Sequence, residues 1–119
     1  MMTIKNISRV LLAATLLAGC AAPKTLYNWD NYQTTVYQYY QQDGVSSEQQ
    51  ITALNQTIET SRAKNKAVPP GLHAQLGLLY AKSGRPDQAF AEFNTEKRLF
   101  PESAQFMDFL MAKDKGSFK

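Results

Sequence analysis

Between Pro70 and Pro101 the chain carries two apolar stripes at helical spacing, broken once at Ser83-Gly84. Leu72, Leu76, Leu79 and Tyr80 form the first stripe, and Ala89, Phe90, Phe93, Leu99 and Phe100 the second. This arrangement constrains the fold more than any other part of the sequence. Two amphipathic helices joined by a tight glycine turn must lie antiparallel, because only then do both stripes leave water together. Gly77 sits inside the first stripe, where glycine costs ~1 kcal/mol relative to alanine. Close approach of a second helix gives that glycine its reason, and Ala89 is the matching small residue on the other helix. Leu76, Tyr80 and Phe93 are predicted to fill the space between them. Gly84 supplies a left-handed helix end, Pro86 a first-turn start, and Pro101 a stop.

The remaining sequence reads as three more helices. Trp29 to Gln42 has the spacing Trp29, Tyr32/Gln33, Val36, Tyr39/Tyr40, with Asn28 or Asp30 available to cap its start. Tyr and Thr favour sheets, but the absence of strict alternation and the glutamine-rich flanks argue for helix. After Gly44, Ser46 and Gln49 have the spacing of a capping box. The stripe Ile51, Leu54, Ile58 follows to about Lys64, and Arg62, Lys64 and Lys66 suit the negative end of that helix. Val68-Pro69-Pro70-Gly71 interrupts the chain, and the next helix is placed at Pro70 to Lys82. The last stripe, Phe106, Met107, Leu110 and Met111, lies in a helix from Ser103 to about Lys113, leaving residues 114–119 as a polar tail. The expectation is an all-α domain over residues 29–113, a short solenoid of about five helices.

The first 20 residues have a different character. Lys5 and Arg9 precede an apolar run from Val10 to Ala18, shorter than the ~20 residues a membrane-spanning helix needs. This is the anatomy of a cleavable export signal over residues 1–19. Without it, 100 residues remain, with 11 Lys and Arg against 10 Asp and Glu. That balance argues against a nucleic-acid partner, which calls for a marked basic excess. Cys20 is the only cysteine, so no disulfide can form within the chain and packing must hold the fold.

Little in the sequence points to catalysis. His73 is the only histidine and falls on a helix that must pack, whereas a general base needs a placed partner and a substrate site. Neither a metal site nor a cofactor is expected, since no cysteine or histidine cluster exists. Glu92 and Glu96 lie one turn apart on a charged helix face and read as surface rather than as a catalytic pair. No catalytic residue is assigned.

Three resemblances add to this reading. Leu17-Ala18-Gly19-Cys20 resembles the lipobox of bacterial lipoproteins. It implies cleavage before Cys20, lipidation of its sulfur and acylation of its amine. Ala21 stands where an aspartate would retain such a protein at the inner membrane, so the implied location is the periplasmic face of the outer membrane. Residues 20–28 then form the lipidated cysteine and its tether, which spans at most about 28 Å.

His73-x2-Leu76-Gly77-x2-Tyr80, Ala89-x3-Phe93 and Pro101 resemble the tetratricopeptide pattern, with His73 in place of its tryptophan. One repeat earlier, Asp43 and Asn55 replace the small residues, so the first helical pair is a degenerate copy at best.

Finally, Leu26-Tyr27-Asn28-Trp29, Val68-Pro69-Pro70-Gly71-Leu72-His73 and the segment Glu96 to Ala104 are similar to a family of small, uncharacterised Gram-negative lipoproteins. That family is known only as a domain of unknown function. Its members are encoded beside a lipoprotein similar to the curli-secretion pore subunit, which implies a place in an envelope lipoprotein complex. The expected function is a lipid-anchored, non-enzymatic scaffold that binds such a partner through His73, Gln75, Tyr80, Trp29 and Tyr32. The alternative is a peptidoglycan- or glycan-binding accessory that stacks sugars on its aromatic rings.

Overall fold

A computed structural model describes residues 3–17, 25–41 and 44–117. The described residues form six α-helices: α1 (Ile4–Leu17), α2 (Tyr32–Gln41), α3 (Ser47–Ala63), α4 (Leu72–Lys82), α5 (Pro86–Leu99) and α6 (Ala104–Ser117). A 3-10 turn, Pro101–Ser103, joins α5 to α6. The all-α expectation holds. The packed pairs run in chain order, α2 on α3, α3 on α4, α4 on α5 and α5 on α6, with α4 and α5 in the most extensive contact. Short connections between successive packed helices make them antiparallel.

The local punctuation explains most of the boundaries. Ser46 caps α3, its hydroxyl accepting from the Gln49 N–H at 3.2 Å while its own N–H donates to Gln49 Oε1 at 3.0 Å. This is the predicted capping box. Pro86 opens α5, and Gly84 takes a positive φ of 75° just after α4.

Three boundaries differ from the expectation. Helix α2 begins at Tyr32 rather than Trp29, because Trp29-Asp30-Asn31 is spent on a turn in which Asp30 has a φ of 25°. Helix α4 begins at Leu72 rather than Pro70, since Gly71 is left-handed, with a φ of 93°. Helix α6 continues to Ser117, into the segment read as a polar tail.

One core joins the helices. Leu54, Leu72, Leu76, Leu79, Ala89 and Phe93 are completely buried, with Ile51, Tyr80 and Met107 nearly so. Gly77 plays the expected part, since a Cβ there would collide with the ring of Phe93. Helices α4 and α5 approach this closely only because that atom is missing. The aromatic stripe of α2 packs as expected at Tyr32 and Tyr39, with Thr35 rather than Val36 buried between them. Tyr32, Thr35 and Tyr39 face inward, while Tyr37 and Tyr40 are 60% and 71% exposed. In α6, Met107 is buried, but Phe106 and Phe109 point outward.

The segment before α2 is not a free tether at its end. Asn28 N–H donates to Ala67 O at 2.9 Å, and Tyr27 forms a parallel bridge with Ala67. The Asn28 side chain, expected as a possible cap for α2, instead donates to Thr60 Oγ1 at 2.9 Å and Ser61 Oγ at 3.2 Å. Asn28, Thr57 and Ser61 are all buried and form a polar seam along the end of α3. These bonds make residues 26–28 part of the domain. Cys20 and residues 21–24 lie outside the described residues.

Candidate functional site

The residues expected to meet a partner divide into two groups. His73, Gln75 and Tyr80 are 8%, 5% and 8% exposed. The inner face of α4 is covered by α3 and α5 of the same chain, so the α4 residues expected to bind a partner are closed off. His73 Nδ1 lies 2.6 Å from Glu92 Oε2, its N–H donating to the carboxylate and bracing α4 against α5. Glu92, read as free surface, is therefore engaged. Tyr80 packs in the core beneath the Arg85 guanidinium, which sits 5.8 Å from the ring centroid. Arg85 also pairs with Glu48 and so links the start of α5 to α3.

Trp29 and Tyr32 remain partly accessible. They belong to a chain of rings: Tyr27 meets Trp29 edge-on at 6.0 Å and Phe100 at 6.4 Å, and Trp29 lies 5.9 Å from Tyr32. This group fastens the start of the domain to the end of α5.

Glu96 is the residue that sequence reasoning placed most wrongly. Read as surface, it is 2% exposed, and its Oε1 accepts from the Gly71 N–H at 2.6 Å. Its Oε2 has no hydrogen-bond partner among the described residues. The Tyr32 hydroxyl occupies the space where a side chain at Gly71 would go. Hence Gly71 is required twice, by its positive φ and by the phenol against it. Burial raises the Tyr32 phenol above its ordinary 10.0, with smaller electrostatic contributions from the Glu96 carboxylate and from Tyr40.

The sign of the pH effect follows from that shift. The folded chain holds the Tyr32 proton more tightly than the unfolded chain does, so this stabilisation is complete below pH 10 and is lost as pH rises through the folded value. Thermal unfolding measured at intervals from about pH 9 to 12 is expected to show that alkaline loss. In Tyr32→Phe the loss should be smaller, and an unchanged alkaline limb would contradict the assignment.

The sequence reading also missed a shallow cleft of about 320 Å³ between the end of α2, the start of α3 and the end of α4. Gln38, Tyr39, Ser46, Gln50 and Lys82 line it, and Lys82 Nζ lies 5.3 Å from the Tyr39 ring centroid. Among the described residues, no three His, Cys, Asp or Glu side chains gather closely enough to hold a metal ion. No helix among them is long and apolar enough to cross a membrane.

The surface has one further aromatic feature. Phe106 and Phe109 stack on the outside of α6, with centroids 6.3 Å apart and planes 17° from parallel, and both are more than half exposed. Lys97 Nζ donates to Asp108 Oδ1 at 2.7 Å beside them, tying α6 to α5.

The fold and these surfaces define a small all-α protein of sequentially packed helices, several of them braced against one another by polar side chains such as His73–Glu92, Arg85–Glu48 and Lys97–Asp108. The chain belongs to the family described as a domain of unknown function (DUF4810), whose model matches residues 26–110. The match begins where the backbone joins Ala67, so the unit that the family model covers and the stitched domain start together. No curated protein and no solved structure matches the chain.

Proposed function

We propose that this protein is a lipid-anchored, non-enzymatic interaction scaffold at the periplasmic face of the outer membrane. Its lipid is attached at Cys20 after removal of residues 1–19, and its partner is another envelope lipoprotein, similar to the curli-secretion pore subunit. The observation that carries the reading is the exposed Phe106–Phe109 pair on α6. In a stack that grows by laying each helix on the one before, this face is where a further helix would lie. Two stacked rings left in water there suit a helix supplied by another protein. The Gly77–Phe93 contact and the pattern through Pro101 support a tetratricopeptide-like identity for the α4–α5 pair. Anchoring both proteins in one leaflet raises their effective concentration, so a modest surface suffices.

The partner surface differs from the one the sequence suggested. Trp29 and Tyr32 keep some accessible area, but His73, Gln75 and Tyr80 would reach a partner only if α3 or α5 moved away. Phe106→Ser combined with Phe109→Ser is expected to leave folding intact and to abolish recovery of the partner from detergent-solubilised envelopes. Recovery equal to wild type would contradict the assignment of this face. The glycan reading draws on Tyr37 and Tyr40, whose exposed rings offer flat apolar faces to a sugar. Sedimentation with purified peptidoglycan tests it: binding lost in Tyr37→Ala with Tyr40→Ala supports the glycan reading, and absence of sedimentation removes it.

A further inference from the structure

The antiparallel order of α2–α5 brings the start of α2, the end of α3, the start of α4 and the end of α5 to one pole of the bundle. The Tyr27–Ala67 bridge and the Tyr27–Phe100 ring contact hold these segments side by side. That pole combines two classes of side chain. Leu26 is 70% exposed and Leu99 43%, flanking the half-buried rings of Tyr27, Trp29 and Phe100. Lys64, Lys66 and Arg98 stand exposed around them, against the acids Asp30 and Glu102. The Asp30 carboxylate already accepts from Thr60 Oγ1 at 3.0 Å.

We propose that this pole rests on the phospholipid surface, with Leu26, Leu99 and the Trp29 group at the headgroup boundary and the neighbouring cations over anionic headgroups. The inference rests on the lipid-anchor reading and adds to it an orientation and a second contact. Chain length favours lipid over any other occupant. Because residues 26–28 are bonded into the domain, only residues 21–25 separate the anchored cysteine from it, a reach of about 20 Å at full extension. The pole held that close to the leaflet is the one bearing tryptophan and tyrosine, the residues enriched at membrane–water boundaries. Exposed lysine and arginine beside them match the negative potential of anionic lipid. Docking in this way directs the opposite pole into the periplasm and holds α6 upright, with Phe106 and Phe109 facing sideways toward proteins anchored in the same leaflet.

Trp29 is the only tryptophan, so its fluorescence reports on this pole alone. The full lipidated protein would be reconstituted into vesicles of phosphatidylethanolamine and phosphatidylglycerol, with or without bromine on the acyl chains. Flotation establishes in the same sample that the protein is anchored. The expected result is co-flotation together with loss of Trp29 emission in brominated vesicles, reduced when Leu26 and Leu99 are both replaced by serine. Co-flotation with Trp29 emission unchanged by bromine would overturn the docked orientation while leaving the anchor intact. Failure to float would overturn both.

Discussion

Gly77→Ala is expected to destabilise the protein by about 1–3 kcal/mol, in the range of overpacked cores, although alanine is the better helix former by ~1 kcal/mol. The added methyl would enter the ring of Phe93, which is completely buried and cannot swing into solvent. The reciprocal change, Phe93→Ala, should cost about 3–5 kcal/mol by opening a cavity at the centre of the α4–α5 contact. Small domains have total stabilities of roughly 5–15 kcal/mol, so either variant shifts a urea midpoint clearly. The pair is also expected to be coupled. In a Phe93→Leu background the methyl at position 77 meets less bulk, and Gly77→Ala should become neutral or stabilising. If Gly77→Ala costs the same in both backgrounds, the glycine is there for a reason other than this contact.

The second large effect concerns address rather than stability. Cys20→Ser is expected to remove the species that begins at residue 20, leave the chain longer by its first 19 residues, and end incorporation of labelled palmitate. Each buried methylene contributes about 0.8 kcal/mol, and stable attachment needs more than one acyl chain, so on the proposed lipoprotein reading the serine variant is expected to lose its durable anchor. Helix α1 does not replace it as a span. Its 14 residues extend about 21 Å at 1.5 Å per residue, short of the ~30 Å hydrocarbon core. A serine variant with wild-type size, label and membrane fractionation would contradict the lipoprotein reading.

Local signals made much of the fold legible. The Ser46–Gln49 box, the Ser83-Gly84 break and Pro86 each act within one helical turn, so the sequence places α3, α4 and α5 to within a residue or two. The glycine at 77 was readable because it carries a helix-propensity cost that only packing explains. What could not be read depends on partners distant in sequence. Asn28 looked like a cap for its own helix, yet its amide is satisfied on α3, more than thirty residues away. Glu96 looked like surface because acids usually are; here the left-handed turn at Gly71 directs a backbone N–H at it.

The burial of the expected partner-binding residues on α4 was hidden for the same reason. His73, Gln75 and Tyr80 lie on what would be the open inner face of a longer array of repeats. Here α3 and α5 pack over α4 and turn those residues into core and cross-brace. Phe106 falls in one apolar stripe with Met107, Leu110 and Met111. A helix at the end of a stack has one covered face, however, and only part of such a wide apolar stripe fits beneath it. The surplus rings stay outside, and sequence periodicity does not tell which ones.

The most direct test of the scaffold reading places a photo-crosslinking amino acid in living cells at position 106 and, in a separate strain, at the exposed Gln56 on α3. A single discrete adduct to an envelope lipoprotein is expected from position 106 and none from position 56. A crosslink from position 56 alone, or no crosslink from either position in intact envelopes, would contradict that reading.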